Sequence, residues 1–433
     1  MRVLAFSDGP VVPTGFGTVI RNVFQGLIDL GHLTYDDVSF FSINYLGNFH
    51  GTKFRMWPAQ VAASGDPDLY GKTRFCQMAL SNEFGPFDVL FFLLDHFSLS
   101  QPVMLDGKFI PFVPGIVQAL RSQYAQGRPP FRVVQYVPVD ADSVRPEWVS
   151  WMPAVIDAPV AYTEFGRRVL AETVPALTDR LSVIPHGTNP ETFFPISPQA
   201  RDDFRKQIFG IGPEVPLIVN VNRNQPRKDI PRTLQVFREV LKVHPDAKLY
   251  LHMNVRDRAG FDLERLAHTL RIPQGHVVFP ANFSEGVGIP VEQLNLVYNA
   301  ADVLLTTARG EGWGLSVSEA LCTGACVVAP DHTSFHEILA DGRGILVPPL
   351  ADRQAMTMDN DQLRPVADVV RMAHAVLYAL ANREQSKAIG QRGMEWARKL
   401  SWRDTIAPMW WKVFNPPAAV EEPSKFRFGK GGA

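Results

Sequence analysis

The sequence predicts two Rossmann-like, doubly wound α/β domains in series, facing each other across a cleft. Three observations lead there. Short apolar runs alternate with longer periodic stretches, the pattern of βαβ units and parallel sheets. The alternation pauses at a loop with four prolines, Pro185 to Pro198, and then starts afresh. The chain's 433 residues are also more than one hydrophobic core usually serves.

In the first half, the strands expected are Arg2–Phe6, Val38–Ile43, Asp88–Leu94, Arg132–Val137, Pro159–Thr163 and Leu181–Ile184. Helices are expected over Phe16–Leu30, Pro114–Ala125 and Glu164–Val174. The second series has strands at Leu217–Val221, Lys248–Met253, His276–Phe279, Val303–Thr306, Ala325–Val328 and Gly344–Val347. Its helices are Pro231–Lys242, Asp262–Leu270, Val291–Asn299, Leu315–Cys322 and Ser334–Leu339, with two more over about Val366–Asn382 and Arg383–Leu400. Ser401-Trp402-Arg403-Asp404 reads as an N-cap opening a last helix through Trp410 and Trp411. The expected division is 1–195, 196–400, a helix at 401–415 returning to the first domain, and a disordered tail at 416–433, rich in Pro, Gly and charge.

Composition narrows the function. Hydrophobic residues make up 46% and charged residues 20%, and the net charge is −1, so no global basic field points to nucleic acid or an anionic membrane. The three cysteines, Cys76, Cys322 and Cys326, suit a reducing compartment better than a disulfide framework. No run reaches the about 20 apolar residues of a membrane span, and the N-terminus does not read as a signal peptide. The expectation is a soluble, cytoplasmic protein.

The most informative stretch is Arg309-Gly310-Glu311-Gly312-Trp313-Gly314-Leu315-Ser316-Val317-Ser318-Glu319. An apolar strand runs into this glycine-rich loop and a helix follows. Free backbone N–H groups at the helix start, on Leu315 and Ser316, form a natural anion site. Gly310, Gly312 and Gly314 let the backbone approach a ligand closely. Two carboxylates beside an anion site call for hydroxyl donors next to the anion. A nucleotide sugar supplies both, with two phosphates flanked by a ribose and a hexose.

Countercharge is expected from Arg223 and Lys228, five residues apart on the loop after the strand Leu217–Val221. Two fixed cations there would stabilise the charge that develops on a departing pyrophosphate. Arg227, between them, is expected to face solvent. In the first half, Gly15 and Gly17 open a helix whose N-terminus could contact phosphate or sugar. The pair lacks the third glycine of a dinucleotide fingerprint. Asp95, His96 and Asp140 fall at strand ends facing the cleft and are candidates to orient or deprotonate an acceptor hydroxyl. His186 lies on the interdomain stretch and is a candidate ligand contact. Phe193 and Phe194 are expected to pack the hinge, and His332 and His336 at most to support the site from behind.

These residues resemble those of a retaining, metal-independent glycosyltransferase of the GT-B fold, in the large family 4 (glycosyl transferases group 1). Glu311-x7-Glu319 and Arg223-x4-Lys228 are the most specific elements. Ile184-Pro185-His186-Gly187, Gly324-Ala325-Cys326-Val327-Val328-Ala329 and Gly344-Ile345-Leu346-Val347 add to the likeness, which is strong over about Val183 to Trp411. The resemblance implies that Glu319 holds the ribose hydroxyls and that Glu311 sits against the donor sugar. Arg223, Lys228 and the Leu315 and Ser316 amides would neutralise the diphosphate. It implies no metal and no cofactor beyond the co-substrate, a UDP- or GDP-sugar. The acceptor hydroxyl could belong to a glycan, a protein, a small molecule or a modified DNA base. Two departures stand out: Asn189 replaces the acid the family carries after its His-Gly, and no basic N-terminal helix for a lipid acceptor is evident. Asp140-Ala141-Asp142 also matches the metal-holding Asp-x-Asp of another glycosyltransferase architecture, which would need a single nucleotide domain. A nucleotide-sugar epimerase, a phosphorylase and a catalytically silent binding subunit are the alternative functions.

Overall fold

The computed structural model describes the chain except residues 48–50, 61–67, 106, 125–126, 128–129, 282–288, 357–361 and 417–433. The expected tail beyond residue 416 and the last residue of the helix expected over Pro114–Ala125 lie outside the described residues.

Two parallel sheets divide the chain. Across the first, the order is Arg55–Pro58, Val38–Ile43, Val3–Asp8, Val89–Leu93, Arg132–Val137, Ala158–Ala161 and Ser182–Val183. Across the second it is Val277–Val278, Lys248–His252, Leu217–Val221, Val303–Leu305, Val327–Pro330 and Ile345–Val347. In each, the chain steps outward from its first strand, returns, and proceeds the other way. The reversal places a crevice at the carboxyl ends of the strands, where ligands bind in such sheets.

The first sheet is covered on both faces, which explains its unbroken apolar runs. Alternate side chains of Val89–Leu93 serve two different cores: Phe92 joins Phe6, Phe75 and Phe112, while Phe91 meets Phe24, Trp410 and Phe414. Each phenylalanine buried this way contributes about 1.5–3 kcal/mol. The helix Gly15–Asp29 is started by Thr14, whose hydroxyl accepts from the Gly17 amide at 3.1 Å. It buries Val19, Ile20, Val23, Phe24 and Leu27 on one stripe.

The last helix, Ala407–Phe414, packs on this first-domain helix and sheet. Trp410 lies 4.7 Å from Tyr136, and Trp411 stacks on His32 at 4.6 Å. The chain therefore crosses between the sheets twice, and the crossings touch. Thr188 donates its amide to Leu400 O (2.7 Å) and accepts from the Trp402 amide (3.1 Å). Gly187 is required here, because a Cβ would sit 2.5 Å from the Trp402 ring.

The expected strands and helices are present, most with ends moved by one or two residues. Strand Ala325–Val328 is instead Val327–Pro330, because Gly324 (φ +77°) first closes the turn off the preceding helix. Missed were the edge strand Arg55–Pro58, the helix Lys72–Leu80, the short helix His96–Ser100 and a hairpin of Pro102–Leu105 with Lys108–Pro111. The helix Lys72–Leu80 begins after Gly71 in the left-handed region, with no side-chain cap to announce it. Among the described residues, no helix is long and apolar enough to cross a membrane.

Candidate active site

The site forms where the two sets of strand ends meet. From the second domain, Val303–Leu305 leads into the Gly310–Gly314 loop, and the helix Leu315–Cys322 follows. Gly314 sits at φ +102°, so the chain can turn into the helix. Val317 and Ser318 amides bond back to Gly314 O, while those of Leu315 and Ser316 have no acceptor among the described residues.

Glu311 is buried and doubly paired. Lys228 Nζ bonds its Oε1, and Arg227 Nη1 lies 3.3 Å from Oε2. Burial pushes the Glu311 carboxyl up, but Lys228 and Arg227 outweigh it, so the net shift is downward and the group is ionised. Burial acts on Lys228 in the opposite sense, and its ammonium is easier to deprotonate than usual despite Glu311. Two non-glycine residues in the left-handed region flank this pair: Asp229 (φ +49°) follows Lys228, and Thr333 (φ +47°) accepts from the Glu311 amide at 3.2 Å. Such strain is held only where packing over-determines it. Here Asp229 is locked by Arg309 (2.7 Å) and Arg232 (3.3 Å).

The first domain completes the cluster. Asp140 lies beyond the end of Arg132–Val137, and Arg227 Nε reaches its Oδ2 at 3.2 Å. Arg364, from the hairpin strand Leu363–Arg364, bonds Asp140 O at 2.6 Å and Oδ1 at 3.2 Å. Lys228, Glu311, Arg227 and Asp140 thus form a continuous chain of ion pairs across the cleft. Asp95 caps the previous strand end. Burial, reinforced by the Asp140 charge, pushes its carboxyl up to about 7. For Asp140 the upward push of burial is overcome by Arg227 and Arg364, which hold it at about 2. Two neighbouring carboxylates are therefore split into one that is fixed as an anion and one poised near neutrality.

His96 Nδ1 lies 3.2 Å from Pro138 O. A carbonyl only accepts, so Nδ1 carries the proton, and burial lowers the ring's pKa further from protonation. Nε2 is left as an acceptor.

Glu319 sits one turn into its helix and accepts from Tyr298 OH at 2.7 Å. Burial raises its carboxyl to about 7, opposed by that hydrogen bond and by Arg21 across the cleft. Gly15 faces the same place: a Cβ on it would lie 3.8 Å from Leu315 Cδ1, so the two helix starts approach each other. Gly17 is needed for the loop's own packing, since a Cβ would sit 2.4 Å from Val12 O.

Arg223 is paired with buried Asp257 at 2.6 Å and is half-exposed. The expectation that Arg227 is the solvated cation is corrected. The turn Pro226–Lys228, held where the Arg309 amide bonds Arg227 O (2.8 Å), aims Arg227 inward to Asp140 and Glu311. His186 is buried among Tyr136, Tyr162, Trp313 and Trp402, with Nδ1 2.6 Å from Tyr136 OH. Tyr136 OH donates to Ile184 O (2.7 Å), so the imidazole donates to the phenol. Burial drives the His186 pKa down to about 3. Phe193 packs on Tyr298, whereas Phe194 is exposed. His332 is buried beside Thr333, and His336 pairs with Asp331 at the surface. All three cysteines are free and buried. A mostly apolar cavity of about 290 Å³ lies behind Trp313, lined by Tyr162, Val183, Pro185, Ile338 and Trp396, with Glu337 at its wall.

Residues 201–361 match the family described as Glycosyl transferases group 1. The match falls within the second half of the chain, and the chain has the GT-B fold. It is 28% identical over 259 residues to a D-inositol 3-phosphate glycosyltransferase of Nocardia farcinica, covering 58% of this chain and 51% of that one. A trehalose synthase of Pyrococcus horikoshii is 26% identical over 204 residues, 44% of this chain and 41% of that protein. The chain spans about half the length of these curated relatives or less. Among solved structures it is similar to a sucrose-phosphate synthase from Thermosynechococcus elongatus (TM-score 0.68, 17% identity, 96% and 98% of the two chains). It also resembles Anabaena HepE in complex with UDP and glucose (TM-score 0.65, 13% identity, 96% and 100%).

Within this GT-B framework, Arg364 and Tyr298 were not anticipated. Arg364 follows residues outside the described set and comes from a two-residue strand with no motif around it. Tyr298 and Asn295 are the polar groups on the buried side of the helix Val291–Ala300, and Tyr298 is the one that reaches Glu319.

Proposed function

We propose that the protein moves a sugar from a nucleoside diphosphate sugar to an acceptor hydroxyl, with retention and without a metal. The observation that carries this reading is the Lys228–Glu311–Arg227–Asp140 chain of ion pairs spanning the cleft. The donor's diphosphate takes Lys228 and Arg223, with the Leu315 and Ser316 amides at the helix start. Lys228 exchanges Glu311 for phosphate, and Glu311 turns to the sugar hydroxyls. Glu319 accepts from the ribose hydroxyls.

As the bond from the sugar's anomeric carbon to the phosphate oxygen breaks, positive charge develops on the sugar ring and negative charge on the leaving phosphate. The cations stabilise that negative charge more in the transition state than before it. The acceptor oxygen bonds to the same face, and its proton passes to the departing phosphate oxygen. Asp95 or the neutral His96 ring accepts from another hydroxyl of the acceptor and so holds the reacting one in line. Two proteins of similar fold supply support: Anabaena HepE is in complex with UDP and glucose, and the structure described as trehalose-6-phosphate from E. coli is bound with UDP-2-fluoro glucose.

A thermal-shift screen of UDP-, GDP- and ADP-sugars, followed by mass spectrometry of products and anomeric assignment by NMR, tests the reading. Turnover should survive EDTA. Failure of every nucleoside diphosphate to bind would remove the central claim.

A further inference from the structure

Tyr162 stands just past the strand Ala158–Ala161, at the carboxyl edge of the first sheet. Its side chain has no role in the chemistry above. The residue is 4% exposed, and its hydroxyl has no hydrogen-bond partner among the described residues. A buried hydroxyl without a partner opposes folding, so native structures rarely keep one without a use. The neighbours show where it stands. A Cβ on Gly312 would lie 3.3 Å from Tyr162 Cδ2, 3.4 Å from Cε2 and 3.7 Å from Val139 N. The glycine after Glu311, the Tyr162 ring and the loop carrying Asp140 therefore meet at one point of the cleft. The ring is held from behind by Tyr136 and His186, each 4.2 Å away between centroids. Burial, then the charges of Asp95 and Asp140, push the phenol well above its ordinary range, so it remains a proton-bearing donor.

We propose that Tyr162 donates a hydrogen bond to a hydroxyl of the donor's sugar, gripping it from the first domain while Glu311 grips it from the second. The inference rests on the donor-site reading above. The sugar is favoured over the acceptor because the ring edge lies on Gly312, beside Glu311. Asp140, on the loop beside the ring, is already taken by Arg227 and Arg364. The contact crosses between the domains, from the edge of the first sheet to the glycine-rich loop of the second.

The test is Tyr162→Phe, which keeps the ring and deletes only the hydroxyl. Affinities are measured calorimetrically for the tightest binder among UDP-glucose, GDP-mannose and ADP-glucose, and for its parent nucleoside diphosphate. The variant should bind the nucleotide sugar about 3- to 10-fold more weakly. It should bind the parent diphosphate as wild type does, with a Tm equal to or above wild type. Equal weakening of both ligands would mean a structural role and overturn the proposal, as would unchanged affinity for the nucleotide sugar. If wild type bound neither ligand, the donor-site reading itself would fall and Tyr162 with it.

Discussion

Glu311→Gln separates two roles that a single carboxylate plays. In the structure Glu311 neutralises Lys228 and, at 3.3 Å, Arg227. Unit charges about 4 Å apart at an effective dielectric of about 20 interact by about 4 kcal/mol. An incoming diphosphate replaces that partner instead of adding to it, so most of the gain is spent on exchange. Removing the competing carboxylate should return a part, on the order of 1–2 kcal/mol, or about 5- to 30-fold tighter binding of the nucleoside diphosphate. Turnover should move the other way. A group placed against the sugar as charge develops contributes about 10²–10³ in kcat. Calorimetry with the diphosphate, beside kcat for sugar transfer, gives both numbers. Lys228→Met supplies the control: it should weaken diphosphate binding, and the double variant should bind like Lys228→Met alone. Weaker diphosphate binding by Glu311→Gln, or wild-type turnover, would refute the partner-exchange reasoning.

Other expectations follow from the same geometry. Asp95 is held near pH 7 partly by Asp140, and it must be ionised to accept from the acceptor, so kcat/KM should fall as pH drops through about 7. Asp140→Asn removes the raising charge and leaves Arg227 nearby, so that limb should move to lower pH; a limb that stays put or moves up would exclude Asp95 as its source. Gly310→Ala would place a Cβ 2.0 Å from Asp140 O and 2.6 Å from Arg364 Nη1, across the domain contact. It should cut kcat at least tenfold while sparing affinity for the free diphosphate, and equal loss of both would argue for misfolding. Glu319 has a carboxyl raised to about 7 from the ordinary 4.5, so its burial opposes folding fully above about pH 7, and that penalty fades to nothing below about 4.5. Glu319→Gln should therefore raise Tm at pH 8, by on the order of 1–3 kcal/mol of stability, with the gain shrinking toward pH 5. It should also weaken nucleotide binding about tenfold through the ribose. A stability gain independent of pH would contradict the buried-charge account.

The strands of both sheets were largely legible. Runs such as Val89–Leu93 are apolar throughout because both faces are covered, and that reads directly as a parallel strand. The edge strand Arg55–Pro58 was not legible, since one flank has no partner strand and its composition carries no such signal. At the site, Glu311 and Glu319 stood out as two carboxylates on a glycine-rich loop and the helix start after it. Arg223 and Lys228 were legible as a spaced pair. Arg227 was misread, because on a tight turn adjacent residues point in different directions and spacing does not say which faces inward.

Legible in the sequence were the two α/β series, the glutamate pair and a basic stretch after the first strand of the second series, because these follow from local chemistry: periodicity, glycine freedom and charge. Tertiary structure alone decided which cation faces the cleft and which carboxylate stays ionised. It also decided that Asp140, Arg227 and Arg364 lock one domain to the other. Those outcomes depend on burial and on distances between residues more than a hundred positions apart in some cases, such as Asp140 and Arg364. Desolvation and Coulomb energies are set by neighbours in space, and a sequence does not display them.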